Sequence, residues 1–245
     1  MHRSLKLAAM LAVFAVAGCS DSTDPDEPLM VDLQISADHI HALETDVTYT
    51  VLVTDSRNAV VSDFEVVRVE QQLAGTTSWR GLTLAAQAGG SYTGTHQFIN
   101  PGDYSVRVVG KRPNQNAEAV IKELTTPLSA VHSHWNTGGY RVEFDITPGF
   151  PDELAANRAY TLKFHVLEQT AGTSGTRAPI TGLTGVTIRC TEANGSFQDH
   201  AVTEADPGVY QAVHTYAAGG AVSARVSFTG TDQQPAEVMV PITLQ

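Results

Sequence analysis

The sequence predicts an all-β chain folded as two tandem antiparallel β-sandwiches, and three observations carry that expectation. First, strand periodicity runs through nearly the whole chain. Val47, Tyr49, Val51 and Val53 alternate with Thr48, Thr50, Leu52 and Thr54, the period-two pattern of a strand with one buried face. No stretch of comparable length carries a helical stripe. Second, the two halves resemble each other. Third, each half holds about seven short strands in roughly 100 residues, punctuated by turn residues, which is sandwich spacing.

The repeat is legible residue by residue. Val31–Ser36 answers to Val142–Thr147 at an offset of 111, and Val53-Thr-Asp55 answers to Val166-Leu-Glu168 at 113. Tyr92, His96 and Phe98 answer to Tyr210, His214 and Tyr216 at 118, an offset that still holds at Arg107 and Arg225. Loop insertions make offsets wander in this way.

In chain order, residues 1–18 open with His2, Arg3 and Lys6, and about a dozen apolar residues follow. That is a secretory signal peptide, too short for a spanning helix of about 20 residues. Residues 19–29 include Ser20-Asp-Ser-Thr-Asp-Pro-Asp-Glu-Pro28, too polar to bury apolar surface, and are expected as an acidic tether. Residues 30–125 form the first domain, 126–136 a linker and 137–245 the second domain. Asp55-Ser-Arg-Asn58 reads as a hairpin connection. Its counterpart from Gln169 to Arg177 is longer, rich in Gly and Thr, and is expected as an exposed loop. Pro101-Gly102 and Gly219-Gly220 each turn into an alternating strand expected to close its domain.

The signal ends in Val16-Ala17-Gly18-Cys19, which resembles the lipobox of bacterial lipoproteins. The resemblance implies that Cys19 is diacylated and becomes the new N-terminus, anchoring the protein to a membrane of the cell envelope. Two or three acyl chains, at about 0.8 kcal/mol per buried methylene, hold a protein firmly where one does not. Ser20, in place of a retaining aspartate, favours an outer membrane where the cell has one. The strand ending in an acidic residue, the turn, the second strand and the Gly-x-Tyr leading to a late turn are similar to the YtkA-like and FixH-like domains. These immunoglobulin-like modules belong to bacterial cell-envelope proteins, and the likeness covers residues ~30–110 and ~140–230. FixH-like members are associated with assembly of a copper-containing respiratory oxidase. They usually carry a membrane helix, which this sequence does not show.

Composition narrows the function. Loss of Arg3 and Lys6 with the signal takes the formal charge from −11 to −13. An acidic chain is not expected to bind nucleic acid, which needs a basic face. With Cys19 committed to lipid, Cys190 has no intramolecular disulfide partner, so each domain must rest on its own apolar core. Cys190 shares parity with Ile188 and Val186 and is expected as a buried, inert thiol. Its spacing to His200, with no methionine nearby, does not fit a cupredoxin copper loop. No nucleophile elbow, zinc-protease helix, phosphate loop or dinucleotide fingerprint is present, and no enzymatic activity is expected.

Histidine is the reactive residue in excess. His39-Ile-His41 and His132-Ser-His134 each place two imidazoles at i and i+2, on one side of an extended segment. Such pairs can converge on Cu(II) or Zn(II), with Asp38 as a further donor. The same residues in connecting segments also read as tolerated polar side chains. His96 and His214, aligned by the repeat and in phase with aromatic residues, read as core-edge histidines with hydrogen-bonded rings. His165, in phase with Lys163 and Thr161, is expected to face solvent. The combined expectation is a lipid-anchored, non-catalytic interaction module that binds another envelope protein. The alternative is a Cu(II)- or Zn(II)-handling protein using His39, His41, His132 and His134.

Overall fold

The computed structural model describes residues 28–37, 39–113, 115–172 and 176–245. The segment expected as a signal peptide, Cys19 and most of the segment expected as a tether lie outside these residues, as does Asp38. Among the described residues there is no helix.

The first module contains β1 (Met30–Ile35), β2 (Ile40–His41), β3 (Asp46–Thr54), β4 (Val66–Leu73), β5 (Arg80–Thr83), β6 (Ala85–Ala86), β7 (Ser91–Gln97), β8 (Gly102–Lys111), β9 (Ala119–Glu123) and β10 (Leu128–Val131). One sheet has the order β1-β3-β7-β6; the other has β2-β10-β8-β4-β5, with β9 also paired to β8. The second module contains β11 (His134–Thr137), β12 (Tyr140–Thr147), β13 (Ala159–Glu168), β14 (Thr184–Thr191), β15 (Phe197–His200), β16 (Thr203–Asp206), β17 (Val209–Thr215), β18 (Gly220–Thr229) and β19 (Pro235–Leu244). Its sheets have the orders β11-β12-β13-β17-β16 and β15-β14-β18-β19. Each module is an immunoglobulin-like sandwich.

Strand register reproduces the repeat. Val31 faces Val53 as Val142 faces Val166, Val51 faces Tyr92 as Phe164 faces Tyr210, and Val47 faces His96 as Tyr160 faces His214. The alternation also translates into burial. Val47, Tyr49, Val51 and Val53 are fully buried in one core, and Leu162, Phe164 and Val166 in the other. The Tyr49 hydroxyl lies inside the first core and accepts from Gln71 Nε2 at 2.9 Å. Asp55 builds the expected hairpin: its Oδ1 accepts from the N–H groups of Arg57 and Ala59, both at 2.8 Å. Asn58, at φ 62°, completes the turn.

Two expectations are corrected. Neither β8 nor β18 closes its sheet, because β9 and β10 pair along β8 and β19 pairs along the whole of β18. The alternation of a strand says which face it buries and leaves open whether an edge is covered. Nor is 126–136 a free linker. β10 joins the first module through β8 and β2, and β11 joins the second through β12, so only His132 and Ser133 lie between the two sets of sheets.

So short a connection forces the module ends into contact. Leu43 and Ile99 of the first module pack into the second core, while Phe150 packs into the first and meets Tyr104 edge-on at 5.5 Å. Asn100 spans the joint: Nδ2 donates to the Ile146 carbonyl at 3.2 Å, and Oδ1 accepts from the Phe150 N–H at 2.7 Å. The Tyr104 hydroxyl donates to the Asn100 carbonyl at 2.8 Å. Arg80 pairs with Glu153, and the Ser133 hydroxyl donates to the Ala42 carbonyl. Met30 faces Thr54, at the end of the first module away from this joint, and the turns at Gly138-Gly139 and 230–234 sit at the far end of the second.

Candidate functional site

The four histidines expected as metal ligands are divided by the structure. His39 is exposed in the bend before β2, whereas His41, His132 and His134 are partly buried at the joint. The parallel pairing of β2 with β10 and the antiparallel pairing of β11 with β12 bring His41 and His134 together, ring centroids 5.7 Å apart. Both Nδ1 atoms are buried without a hydrogen-bond partner among the described residues. Burial lowers the His134 pKa, helped by the cationic Arg141 and by His41.

His132 turns instead to the outer face of the second module. Strand parity puts Arg141, Glu143 and Asp145 of β12 and His165 of β13 on that face. His132 Nε2 lies 3.2 Å from Asp145 Oδ1, and His165 Nε2 donates to Asp145 Oδ2 at 2.9 Å. The hydrogen bond to Asp145 raises the His132 pKa against the opposing effect of burial, with Asp145 and Glu143 adding their charge. Burial alone would raise the Asp145 carboxyl, but hydrogen bonds from both histidines outweigh it and hold the group well below the usual carboxylate range. His165 thus faces outward by parity, as expected, but into this ion-paired cluster and not into open solvent. No three of His39, His41, His132 and His134 bring ligand atoms within 4.8 Å of one another.

His96 and His214 occupy equivalent register positions but have different surroundings. His96 packs on Phe98 at 5.3 Å, and burial, with Arg80 nearby, pushes its pKa down to about 3. It lines a cleft of about 430 Å³ at the joint with Leu43, Arg80 and Glu153. His214 is 4% exposed with both ring nitrogens engaged: Nε2 donates to Glu192 Oε1 and Nδ1 accepts from His200 Nε2, each at 3.0 Å. The expected hydrogen-bonded core-edge role therefore describes His214. Cys190 is fully buried, and burial pushes its thiol up to about 12.

Sequence reasoning set Cys190 and His200 aside as a copper loop and missed their association with His214. Cys190, His200 and His214 are the one trio of His, Cys, Asp or Glu among the described residues whose ligand atoms all lie within 4.8 Å of one another. Spacings of 10 and 14 residues, with one member on the opposite sheet, leave no local motif. The usable signal was parity: Ile188 faces His200 across β14 and β15, so His200 shares the inward side of the sheet with Ile188 and Cys190.

No family model and no curated protein matches the chain. Similar solved structures include the Yersinia pseudotuberculosis adhesin InvE, at 16% identity and a TM-score of 0.32, covering 86% of this chain and 58% of that one. Invasin, a bacterial integrin-binding protein, is similar at 13% identity and a TM-score of 0.33, with 88% and 40% covered. The Escherichia coli adhesin FdeC is similar at 16% identity and a TM-score of 0.31, with 88% and 64% covered. The chain spans less than two thirds of each of these three.

Proposed function

We propose that this protein is a lipid-anchored interaction arm of the bacterial cell envelope, non-catalytic, with another envelope protein as its partner. The observation that carries the reading is the interlocked joint. Asn100, Phe150, Leu43 and Ile99 tie two sandwiches end to end, with the anchored end of the chain at one extreme and free loops at the other. At about 3.3 Å per residue, the nine residues of β3 and the ten of β13 give an arm of roughly 60 Å. An anchor at Cys19 and a stiff arm together hold the distal loops at a set height above a membrane. Loops on a rigid scaffold are where such folds bind. The YtkA-like and FixH-like resemblance belongs to the same proposal, since both families place such modules in the envelope.

Two measurements test it. Fatty-acid labelling and membrane retention are expected in the native protein and absent in Cys19→Ser. A photo-crosslinker at the exposed distal Thr181 is expected to trap one discrete envelope protein, and one at Arg57, near the anchored end, is not. Equal trapping at both positions, or labelling that survives Cys19→Ser, overturns the reading.

A second reading, metal handling at the joint, is favoured by the facing His41 and His134 with their unpartnered Nδ1 atoms. Calorimetric titration of Cu(II) and Zn(II) into native and His41→Ala/His134→Ala proteins tests it. Saturable binding lost in the variant supports this reading, and equal binding by both rejects it.

A further inference from the structure

We infer that Cys190, His200 and His214 form a binding site for a divalent d-block cation, with Zn(II) as its natural probe, in the open edge of the second sandwich. The site bridges the two sheets. Cys190 on β14 and His200 on β15 come from one sheet, and His214 on β17 comes from the other, whose rings lie 4.9 Å from those of His200 at 72°. One thiolate and two imidazoles suit Zn(II), and three protein ligands leave a fourth position for water or an exogenous group. His200 is partly exposed, whereas Cys190 and His214 are buried.

The surroundings are those of a metal ligand set. Glu192 Oε1 accepts from His214 Nε2–H, and Oε2 accepts from the Ala217 N–H at 3.0 Å. The carboxylate therefore fixes the tautomer that leaves His214 Nδ1 bare and aimed at the trio. A carboxylate that orients a ligating histidine is the usual outer partner of such sites. Charge also balances, because a dication, the Cys190 thiolate and Glu192 sum to zero, which makes the buried assembly permissible. Without metal, His200 donates to His214, and the thiol is protonated. A coordinating cation deprotonates the thiol outright, so loading breaks the His200–His214 hydrogen bond, moves the His200 proton from Nε2 to Nδ1 and releases the Cys190 proton.

The test uses the full chain carrying Cys19→Ser, which leaves Cys190 as its only thiol. Co(II) serves as the spectroscopic probe, and Zn(II) competes with it. One equivalent of Co(II) is expected to give a thiolate-to-metal charge-transfer band that Zn(II) abolishes. Cys190→Ser and His214→Gln are expected to lose the band. His200→Gln, at a partly exposed position on the edge strand β15, is expected to lose it too. Glu192→Gln is expected to weaken Zn(II) binding by about 10–100-fold. The band is expected to survive His41→Ala/His134→Ala, which separates this site from the joint. A native circular dichroism spectrum for each variant excludes misfolding as the cause of a loss. Absence of the band in the parent protein, or its persistence in a folded His200→Gln, overturns the proposal.

Discussion

Asp145 shows how one side chain organises a surface that the sequence left open. It accepts from His132 in the connection between the modules and from His165 on the neighbouring strand. The two pKa shifts set a pH window. A raised His132 pKa contributes stability that is complete below its ordinary value of 6.5 and fades as pH rises through the higher folded value. A depressed Asp145 pKa contributes stability that is complete above its ordinary value of 3.8 and fades as pH falls through the lower folded value. The cluster is therefore expected to stabilise most between about pH 4 and 6.5. Thermal melts across pH 3–9 should show a broad maximum there, and Asp145→Asn should flatten the profile; an unchanged profile would refute this account. Tyr49→Phe tests a second buried contact. It strands the amide of Gln71 inside the first core and is expected to cost about 1–3 kcal/mol in urea denaturation.

At the scale of elements, turn chemistry and alternation were the most readable features. Alternation along β3 named its buried face correctly at every position, because side-chain period two is a property of the extended backbone itself. The hairpin at Asp55 was equally legible, since an aspartate that caps its own turn acts within four residues. Asp55→Ala is expected to destabilise the first module by about 1–3 kcal/mol, with Asp55→Asn recovering most of the loss, read by chemical denaturation. Less legible were β9, β10 and β19, which cover strands expected to be last. A covering strand is specified by its partner's unpaired backbone, a long-range condition with no local mark. The segment 126–136 was misassigned for the same reason: β10 and β11 are only four residues each, too short for their alternation to stand out.

For the whole molecule, the joint is the decisive feature, and Asn100 is its most exposed dependence. Its side chain bonds two backbone groups of the opposite module, so Asn100→Ala leaves both without that partner. The variant is expected to keep both sandwiches folded while broadening the distance distribution between spin labels placed at Arg57 and Thr181. Gly149→Ala should act alike, because a Cβ there would stand 2.2 Å from Asn100 Oδ1. An unchanged distribution in both variants would mean that apolar packing alone holds the modules.

The sequence by itself determined the all-β class, the duplication, the buried faces of the long strands and the burial of Cys190. Each of these follows from periodicity or composition along a continuous stretch of chain. Only the tertiary structure decided which histidines meet. His41 finds His134 through a parallel pairing of two short strands, His132 and His165 share Asp145 on the outer face of the second module, and His200 and His214 enclose Cys190 from opposite sheets. Those meetings depend on which edge covers which strand and how two modules abut, and distances of that kind are set by packing of residues far apart in the chain.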